Sequence, residues 1–300
     1  MRFEASNSVN QPLPIQFANN IRVFIKREDL LHPQISGNKF RKLKYNLIAA
    51  RQASYHTLLT FGGAYSNHIA AVAAAGHEFG FSTIGIIRGE ELVDKINDNT
   101  FHNPTLKLAQ QQGMRFKFIS RSDYRDKTSL KFIEQLKHEF GEFYLIPEGG
   151  TNALAVQGCR EILTEQDQQQ FDYVCCAVGT GGTIAGIIES SLDQQMILGF
   201  PALKGDFLQT EIAQWTQKTN WQLMPDYHCG GYAKTTPALL QFVADFYAKT
   251  NIEIEPIYTG KMLFGIFDLI NNGFFPTNSQ ILAIHTGGLQ GNLNNRFKLS

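Results

Sequence analysis

Lys39 is the first side chain in this sequence whose position suggests chemistry. It follows an extended run and a polar loop, and it opens a helical pattern in which Phe40, Leu43 and Leu47 share one face. The positive end of a helix dipole disfavours an ammonium, and a lysine with a lowered pKa is a better nucleophile and Schiff-base former. The neighbouring Lys42 favours the simpler explanation that Lys39 is a solvated charge in a basic stretch. The rest of the chain must decide between this explanation and a reactive lysine.

A glycine-rich loop in the second half of the chain predicts a phosphate site. A strand at 173–178, apolar on both faces as in a parallel sheet, precedes the loop, and an apolar helix follows it. Successive backbone N–H groups at such a junction form a nest for an anion, although a tight turn packed with glycines is an alternative. Ile184 stands where a dinucleotide loop has its third glycine, so a phosphate monoester fits better than a nucleotide. The loop consists of Gly179, Thr180, Gly181, Gly182 and Thr183.

Other predicted strands also end in glycine with a hydroxyl or amide residue, and ligands of open α/β sheets bind outside those ends. Ser66 and Asn67 begin an alanine-rich helix, where either one could serve simply as the N-cap. Tyr258 precedes Thr-Gly-Lys, Thr286 lies in His-Thr-Gly-Gly, and Tyr232 lies in a glycine-containing loop. One ligand would use all of these together with the lysine: a phosphate monoester with an aldehyde and a ring nitrogen, which is pyridoxal 5'-phosphate.

Composition argues against several other classes of protein. The 300 residues carry 27 basic and 27 acidic side chains, which leaves no electrostatic footprint for nucleic acid or acidic membranes. No apolar run approaches the ~20 residues of a membrane span, and the first ten residues lack a signal-peptide core, so we expect a cytoplasmic protein. The four cysteines form no C-x-x-C motif, no metal ligands cluster, and no G-x-S-x-G elbow occurs. Metal sites and serine hydrolases are therefore not expected.

The order of the predicted elements indicates the fold class. Strands and helices alternate along most of the chain, which predicts an α/β protein with mostly parallel sheet. A chain of this length suggests two domains and can bury roughly 75% of its unfolded surface without disulfides. No change in composition marks a domain boundary.

These motifs resemble those of the D-cysteine desulfhydrase and 1-aminocyclopropane-1-carboxylate (ACC) deaminase family. The resemblance rests on Lys-Arg-Glu-Asp at 26–29, Gly-Asn-Lys-Phe-Arg-Lys-Leu at 37–43 and Glu-Gly-Gly-Thr-Asn-Ala-Leu at 148–154, followed in family order by the loops named above. The family comprises pyridoxal-phosphate enzymes of fold type II, built like the tryptophan synthase β subunit. The match spans nearly the whole chain.

The resemblance implies an architecture and an assembly. We expect two open, mostly parallel, twisted sheets flanked by helices. Residues 1–44 and 152–300 would form a large domain that binds the cofactor, and residues 45–151 a small inserted α/β domain. The cofactor would lie between the domains, and the family's usual assembly implies a homodimer.

The resemblance also implies which residues bind the cofactor. Lys39 would bond covalently to pyridoxal phosphate and later move the Cα proton of the substrate. Asn67 would hydrogen-bond the cofactor's 3'-oxygen, and the loop from Gly179 to Thr183 would hold its phosphate. Thr286 would face the pyridine nitrogen, where a neutral hydroxyl leaves the ring largely unprotonated.

The implied substrate residues point to one branch of the family. Ser66 would contact the substrate carboxylate or act in proton transfer, and Tyr258 would lie beside the substrate with Tyr232 as a second tyrosine. Members that open the cyclopropane ring carry Glu after the tyrosine equivalent to Tyr258, whereas this chain has Thr259, as in the desulfhydrases. We therefore expect β-elimination from D-cysteine, giving pyruvate, ammonia and sulfide.

Three alternatives stay open at this point. Tyr65 stands where desulfhydrases carry Gln, so another D-amino acid could be the substrate. An ACC deaminase that releases 2-oxobutyrate and ammonia is an alternative, because Lys39, Ser66 and Tyr258 are common to both branches. A non-catalytic protein that binds a phosphate ligand on the same fold is the third, although binding alone needs no amine at position 39.

Overall fold

The computed structural model describes residues 1, 3–96 and 102–294, and it contains two sheets built mainly of parallel strands with helices packed against them. The strands are β1 (Asn10–Pro12), β2 (Arg22–Lys26), β3 (Thr57–Gly63), β4 (Ser82–Arg88), β5 (Arg115–Ile119), β6 (Tyr144–Ile146), β7 (Tyr173–Val178), β8 (Met196–Pro201), β9 (Trp221–Leu223) and β10 (Gln280–Ile284). The helices are α1 (Asn38–Gln52), α2 (Asn67–Phe79), α3 (Pro104–Gln111), α4 (Arg121–Arg125), α5 (Leu130–Phe140), α6 (Ala153–Cys159), α7 (Glu165–Gln170), α8 (Gly182–Ser190), α9 (Phe207–Ala213), α10 (Pro237–Thr250) and α11 (Thr259–Asn271).

The larger sheet has the strand order β1-β2-β10-β7-β8-β9. Only the pair β1–β2 is antiparallel within it, and the other four pairs are parallel. Strands β2, β10 and β7 therefore lie side by side and end at the same edge of the sheet. The segments that follow them contain the lysine, the His-Thr-Gly-Gly motif and the glycine loop, which is why residues distant in sequence can share one site.

The smaller sheet has the order β5-β4-β3-β6, and all of its pairs are parallel. Its strands all come from the segment between residues 57 and 146, and the expectation of two open, mostly parallel sheets flanked by helices is confirmed. The expected domain limits at 44/45 and 151/152 remain a prediction. Helix α1 runs continuously through the first of these limits.

Helix α1 packs its apolar face onto the core of the smaller sheet. Phe40, Leu43 and Leu47 belong to one buried cluster with Leu58 of β3 and Ile69 of α2. The alanine-rich stretch of α2 is buried in the same cluster, and small side chains let that helix approach its neighbours closely. The helix that carries the lysine is therefore held in place by its packing against this core.

Several predicted elements differ in detail from the observed ones. Helix α1 begins at Asn38, with Gly37 as its N-cap, one residue before the helical pattern predicted to open at Lys39. The edge strands β1 and β9 were not predicted, because they have three residues each, too few to show a period-2 pattern.

The structure also shows the state of the cysteines and the character of the helices. All four cysteines are free thiols, and three of them are buried in the larger sheet and the helices packed on it. Over the described ranges, no helix is both long enough and apolar enough to cross a membrane.

Candidate active site

The start of α1 is held against the turn after β10. Gly37 has φ 63°, and a Cβ built on it would overlap the carbonyl oxygen of Thr286. The backbone N–H of Asn38 donates to that same oxygen over 3.3 Å. Only glycine allows both the left-handed backbone and this close approach, so the glycine before the Asn-Lys pair fixes Thr286 next to the lysine.

Asn38 joins the lysine to the glycine loop. Its Nδ2 donates to Thr183 Oγ1 over 2.8 Å, and its Oδ1 accepts from Lys39 Nζ over 3.3 Å. The amine of Lys39 therefore lies within one side chain of the loop that was predicted to bind phosphate. The alternative of a lysine in a solvated basic stretch does not describe this position.

The surroundings of Lys39 favour a neutral amine. The pKa of Lys39 is lowered to about 7. Burial is the larger cause, and the charge of Lys42, one helical turn away, is the smaller one. The side chain as a whole keeps some contact with solvent. A lowered pKa was expected from the helix dipole, whereas burial and a second lysine are the causes that the structure provides.

The glycine loop has the shape of an anion nest. Strand β7 ends at Val178 and α8 begins at Gly182, with Gly181 between them at φ 80°. The backbone N–H groups of residues 180–184 donate to no acceptor in the described parts of the chain. A Cβ on Gly182 would lie 2.8 Å from Thr151 Oγ1, so a side chain there would fill the cradle. Free N–H donors at a helix start suit a phosphate.

Lys42 is a residue of the site that sequence reasoning missed. Its side chain is buried, and Nζ donates to Gly149 O and Thr151 Oγ1 over 2.9 Å each and to Thr180 Oγ1 over 3.4 Å. No carboxylate pairs with it among the described residues, and burial lowers the pKa of this amine at the rim of the nest. Its spacing of three residues from Lys39, which places both on one helix face, is the signal that could have identified it.

The second sheet contributes Ser66 and Asn67 from the start of α2. Ser66 is the N-cap, and its hydroxyl accepts from the N–H of Ile69 over 3.4 Å, so the simple capping role is real. A Cβ on Gly288 would lie 2.6 Å from Asn67 Nδ2, which places the Asn67 amide directly against the turn after β10. Asn67 and Thr286 thus approach the same space from opposite sheets.

His285 holds the turn that carries Thr286. Its ring nitrogen Nε2 lies 2.7 Å from the carbonyl oxygen of Glu253 and must donate to it, so Nδ1 is the acceptor for the N–H of Gly287 at 3.2 Å. Burial lowers the pKa of His285, and the neutral ring makes the nearby Asp29, 3.8 Å from Nδ1, a polar neighbour and not an ion-pair partner. The histidine of the motif therefore has a positioning role.

Tyr258 lies beside the loop and Tyr232 lies further out. A Cβ on Gly179 would lie 3.2 Å from Tyr258 Cε1, whereas the described contacts of Tyr232 reach Tyr258, with ring centroids 6.1 Å apart, and no other aromatic ring. Burial raises the pKa of Tyr258 well above its ordinary value, so the phenol keeps its proton. Tyr232 is 45% exposed and lies at the edge of the site.

Glu255 is a second functional residue that sequence reasoning missed. Its carboxylate is 1% exposed and accepts from the N–H groups of Ile257 at 2.7 Å, Tyr258 at 2.9 Å and Thr259 at 2.7 Å. It also accepts from Thr259 Oγ1 at 3.2 Å. Glu255 therefore caps α11 and fixes the backbone of Tyr258, and its negative charge adds to the raised pKa of that phenol.

The arrangement fits one kind of ligand. Within the described chain no group of three or more His, Cys, Asp or Glu side chains could hold a metal ion. An amine with a lowered pKa, a nest of unpaired N–H groups and a neutral hydroxyl at Thr286 together suit an aldehyde, a phosphate and a pyridine nitrogen. The α/β fold and this site define an enzyme of the class that binds an aldehyde cofactor on a lysine.

Comparisons with known proteins identify the family. Residues 9–287 match the family described as pyridoxal-phosphate dependent enzyme, so the chain belongs to that family, and pyridoxal phosphate is its cofactor. It is 30% identical over 299 residues to the mitochondrial bifunctional D-cysteine desulfhydrase/1-aminocyclopropane-1-carboxylate deaminase of Arabidopsis thaliana, covering 91% of this chain and 74% of the relative.

Two further similarities extend over nearly the whole chain. A D-cysteine desulfhydrase of Salmonella newport (strain SL254) is 25% identical over 312 residues, which cover 96% of this chain and 94% of the relative. The crystal structure of an ACC deaminase homologue has a TM-score of 0.83 and 27% identity, covering 97% of this chain and 92% of that one. The expected family, the fold of type II pyridoxal-phosphate enzymes and the cofactor are thereby confirmed.

Proposed function

We propose that this enzyme catalyses β-elimination from D-cysteine or a related D-amino acid and releases pyruvate, ammonia and sulfide. The observation that carries the proposal is Thr259, the residue after Tyr258. Its side chain is fully buried, and its hydroxyl is bound to the Glu255 carboxylate. The position thus presents no free acid to the site, as expected of the desulfhydrase branch, and the Salmonella relative is named for that activity.

Residues from both sheets would hold the cofactor. Lys39 would bond to the aldehyde, the loop from Gly179 to Thr183 would bind the phosphate with Lys42 beside it, Asn67 would reach the 3'-oxygen and Thr286 the pyridine nitrogen. When bound, pyridoxal phosphate supplies the electron sink that makes an amino acid's Cα–H bond acidic. The unpaired N–H groups of residues 180–184 support this position of the phosphate.

The remaining chemistry would fall to the lysine and to side chains near it. Lys39 has an amine that is readily deprotonated at neutral pH, so it can accept the Cα proton and return it. Tyr258 keeps its proton and would donate a hydrogen bond or a proton to the departing group. Ser66, at the start of α2, would receive the substrate carboxylate beside the helix N-terminus, and Tyr232 would close the site from outside.

An ACC deaminase activity is the second candidate. The Arabidopsis relative bears both activities in its name, and the structural neighbour is an ACC deaminase homologue. Lys39, Ser66 and Tyr258 would serve either reaction. This candidate comes second because the residue after Tyr258 is a buried threonine and not a free acid.

Three further statements belong to the same proposal. The enzyme would act as a homodimer in the cytoplasm, with no nucleic-acid or membrane partner. The balance of 27 basic and 27 acidic side chains supports the last point. The cofactor would lie between a large domain of residues 1–44 and 152–300 and a small domain of residues 45–151, because the site contains residues from both sheets.

A turnover screen tests the proposal. Purified enzyme loaded with cofactor would be offered D-cysteine, L-cysteine, D-serine and the cyclopropane amino acid, with sulfide, pyruvate and 2-oxobutyrate measured separately. We expect sulfide and pyruvate from D-cysteine, and none from the Lys39→Ala variant. Production of 2-oxobutyrate without sulfide would replace the proposal by the deaminase. Ligand binding unchanged in Lys39→Ala, with no turnover by either protein, would indicate a non-catalytic binding protein.

A further inference from the structure

Lys261 is a buried lysine one helical turn after Tyr258, and the chemistry proposed above makes no use of it. It is 1% exposed and lies on α11 among buried side chains. Its Nζ donates to Gly231 O over 2.8 Å and approaches Ala202 O at 3.5 Å. Both acceptors are neutral carbonyls, and Lys261 forms no ion pair within the described residues. A buried ammonium without a carboxylate is costly, so its retention requires another explanation.

The carbonyl that Lys261 holds belongs to a loop with an unusual backbone. Between residues 228 and 235 the values of φ are 51° at Cys229, 90° at Gly230, 113° at Gly231 and 54° at Ala233. Two of these residues, Cys229 and Ala233, are not glycine, and a left-handed backbone is strained for a residue with a Cβ. A loop with this backbone keeps its shape only where its surroundings fix it. The hydrogen bond from Lys261 is the charged contact at its centre.

The same loop carries Tyr232. The residue directly follows Gly231, its ring packs edge-on to Tyr258 at 6.1 Å between centroids, and its own side chain is half exposed. Tyr258 and Lys261 lie three residues apart at the start of α11, on one face of the helix. The start of α11 thus carries Tyr258, which hydrogen-bonds the Tyr232 side chain, and Lys261, which hydrogen-bonds the backbone carbonyl just before Tyr232.

We propose that Lys261 is a positioning residue that sets Tyr232 against Tyr258 at the mouth of the active site. The consequence for catalysis rests on the proposed function, whereas the hold on the loop does not depend on it. Lys261 acts through Gly231, so its loss frees the loop and leaves the amine at position 39 and the glycine loop in place. The role is geometric: the ammonium is needed as a donor that reaches the carbonyl.

Hydrogen exchange tests the hold on the loop in the cofactor-free protein. Lys261→Met keeps the length and apolar stem of the side chain and removes the donor. We expect amides in the peptide 228–236 to exchange roughly tenfold faster, as for the loss of one charge-assisted hydrogen bond, with unchanged exchange in peptides of β7 and β10. Lys261→Arg keeps the donors and should stay within about threefold of wild type.

Lys234 provides the matched control, since it is an exposed lysine on the same loop. Lys234→Met should leave the exchange of 228–236 within about twofold of wild type. Unchanged exchange in Lys261→Met would overturn the proposal. Faster exchange throughout the protein in that variant would also overturn it, because it would assign Lys261 a general structural role.

Activity provides the second readout. In the loaded enzyme, Lys261→Met should lower kcat roughly tenfold, with an unchanged dissociation constant for the cofactor, and Tyr232→Phe combined with it should add little further loss. Full additivity of the two substitutions would show that Lys261 does not act through Tyr232. If the wild-type enzyme has no β-elimination activity, the proposed function fails, and the exchange experiment alone still decides the role of Lys261.

Discussion

Asn38 Nδ2 donates to Thr183 Oγ1 over 2.8 Å, and this bond connects the helix that carries Lys39 to a loop 145 residues further along the chain. The same amide accepts from the Lys39 amine through its oxygen. Both ends of the Asn38 side chain are therefore used, one toward the lysine and one toward the phosphate loop. The residue sets the distance between the two groups that must bind one cofactor.

The first prediction concerns this bridge. Asn38→Ala removes a hydrogen bond on each side, so we expect the dissociation constant for pyridoxal phosphate to rise about tenfold, measured by absorbance titration of cofactor-free protein. Asn20→Ala is the control, because Asn20 makes a comparable exposed hydrogen bond to Asn278, at 2.7 Å. Equal affinities in the two variants would show that the bridge contributes nothing to cofactor binding.

The second prediction concerns the close approach at Gly37. Alanine there would have a left-handed backbone and a Cβ that overlaps the Thr286 carbonyl, so Gly37→Ala should cost about 3 kcal/mol or more in free energy of unfolding and weaken cofactor binding. Gly141 has a similar backbone (φ 78°, ψ −164°), and a Cβ there would meet nothing within 4 Å, so Gly141→Ala bears only the backbone cost of about 1–2 kcal/mol. Urea unfolding would compare them, and equal losses would contradict the steric argument.

The sequence predicts that the motifs meet at one site, but it does not predict which charged side chains are buried there. The lysine, the glycine loop and the His-Thr-Gly-Gly turn each follow a predicted strand, and parallel strands end at one edge, so their meeting could be predicted. The spacing of Lys42 from Lys39 places it on the same helix face, but its burial could not be predicted, because that depends on Gly149 and Thr151, more than a hundred residues further along the chain. Local spacing indicates which helix face a residue occupies, and packing decides whether that face is solvated.

Glu255 illustrates a second limit of sequence reasoning. Thr259 was expected only to replace the glutamate of the ring-opening members, and the sequence did not indicate that its hydroxyl is bound to the Glu255 carboxylate. A glutamate four residues before a threonine looks like an ordinary surface pair. It becomes a buried cap only because α11 starts inside the protein. Three-residue edge strands such as β9 cannot be predicted from the sequence for a related reason. Their pairing with a neighbouring strand defines them, and their own residues do not.

The third prediction concerns the pH dependence of the Lys39 amine. Its pKa is lowered to about 7, so the neutral, reactive form grows as pH rises through neutrality. The labelling rate of Lys39 by a small acylating reagent in cofactor-free protein, followed by mass spectrometry, should be half-maximal at a pH of about 7. Lys42→Met removes the second cause of the lowering, so the midpoint should move to higher pH. Exposed Lys249 provides the internal reference in the same digest.

The midpoint measured in this experiment tests whether the Lys39 amine is buried and whether Lys42 contributes to its lowered pKa. A midpoint above a pH of about 9 for Lys39 in the wild-type protein would mean that the amine is solvated. A midpoint of about 7 that does not move in Lys42→Met would mean that burial alone sets the pKa and that Lys42 has no electrostatic part in it.

The fourth prediction concerns Tyr258. Burial is the largest cause that raises the pKa of its phenol well above the ordinary value, followed by the neighbouring Tyr232 and then the charge of Glu255, so the group stays protonated at neutral pH. Tyr258→Phe removes the proton and keeps the ring, and kcat for β-elimination should fall roughly 10²-fold with cofactor affinity within about twofold of wild type. Tyr247→Phe, at an exposed tyrosine on α10, should change neither quantity. Because a phenol with a raised pKa is not titrated by solvent near neutrality, a descending limb of kcat between about pH 7 and 9 that disappears in Tyr258→Phe would contradict the assigned protonation state.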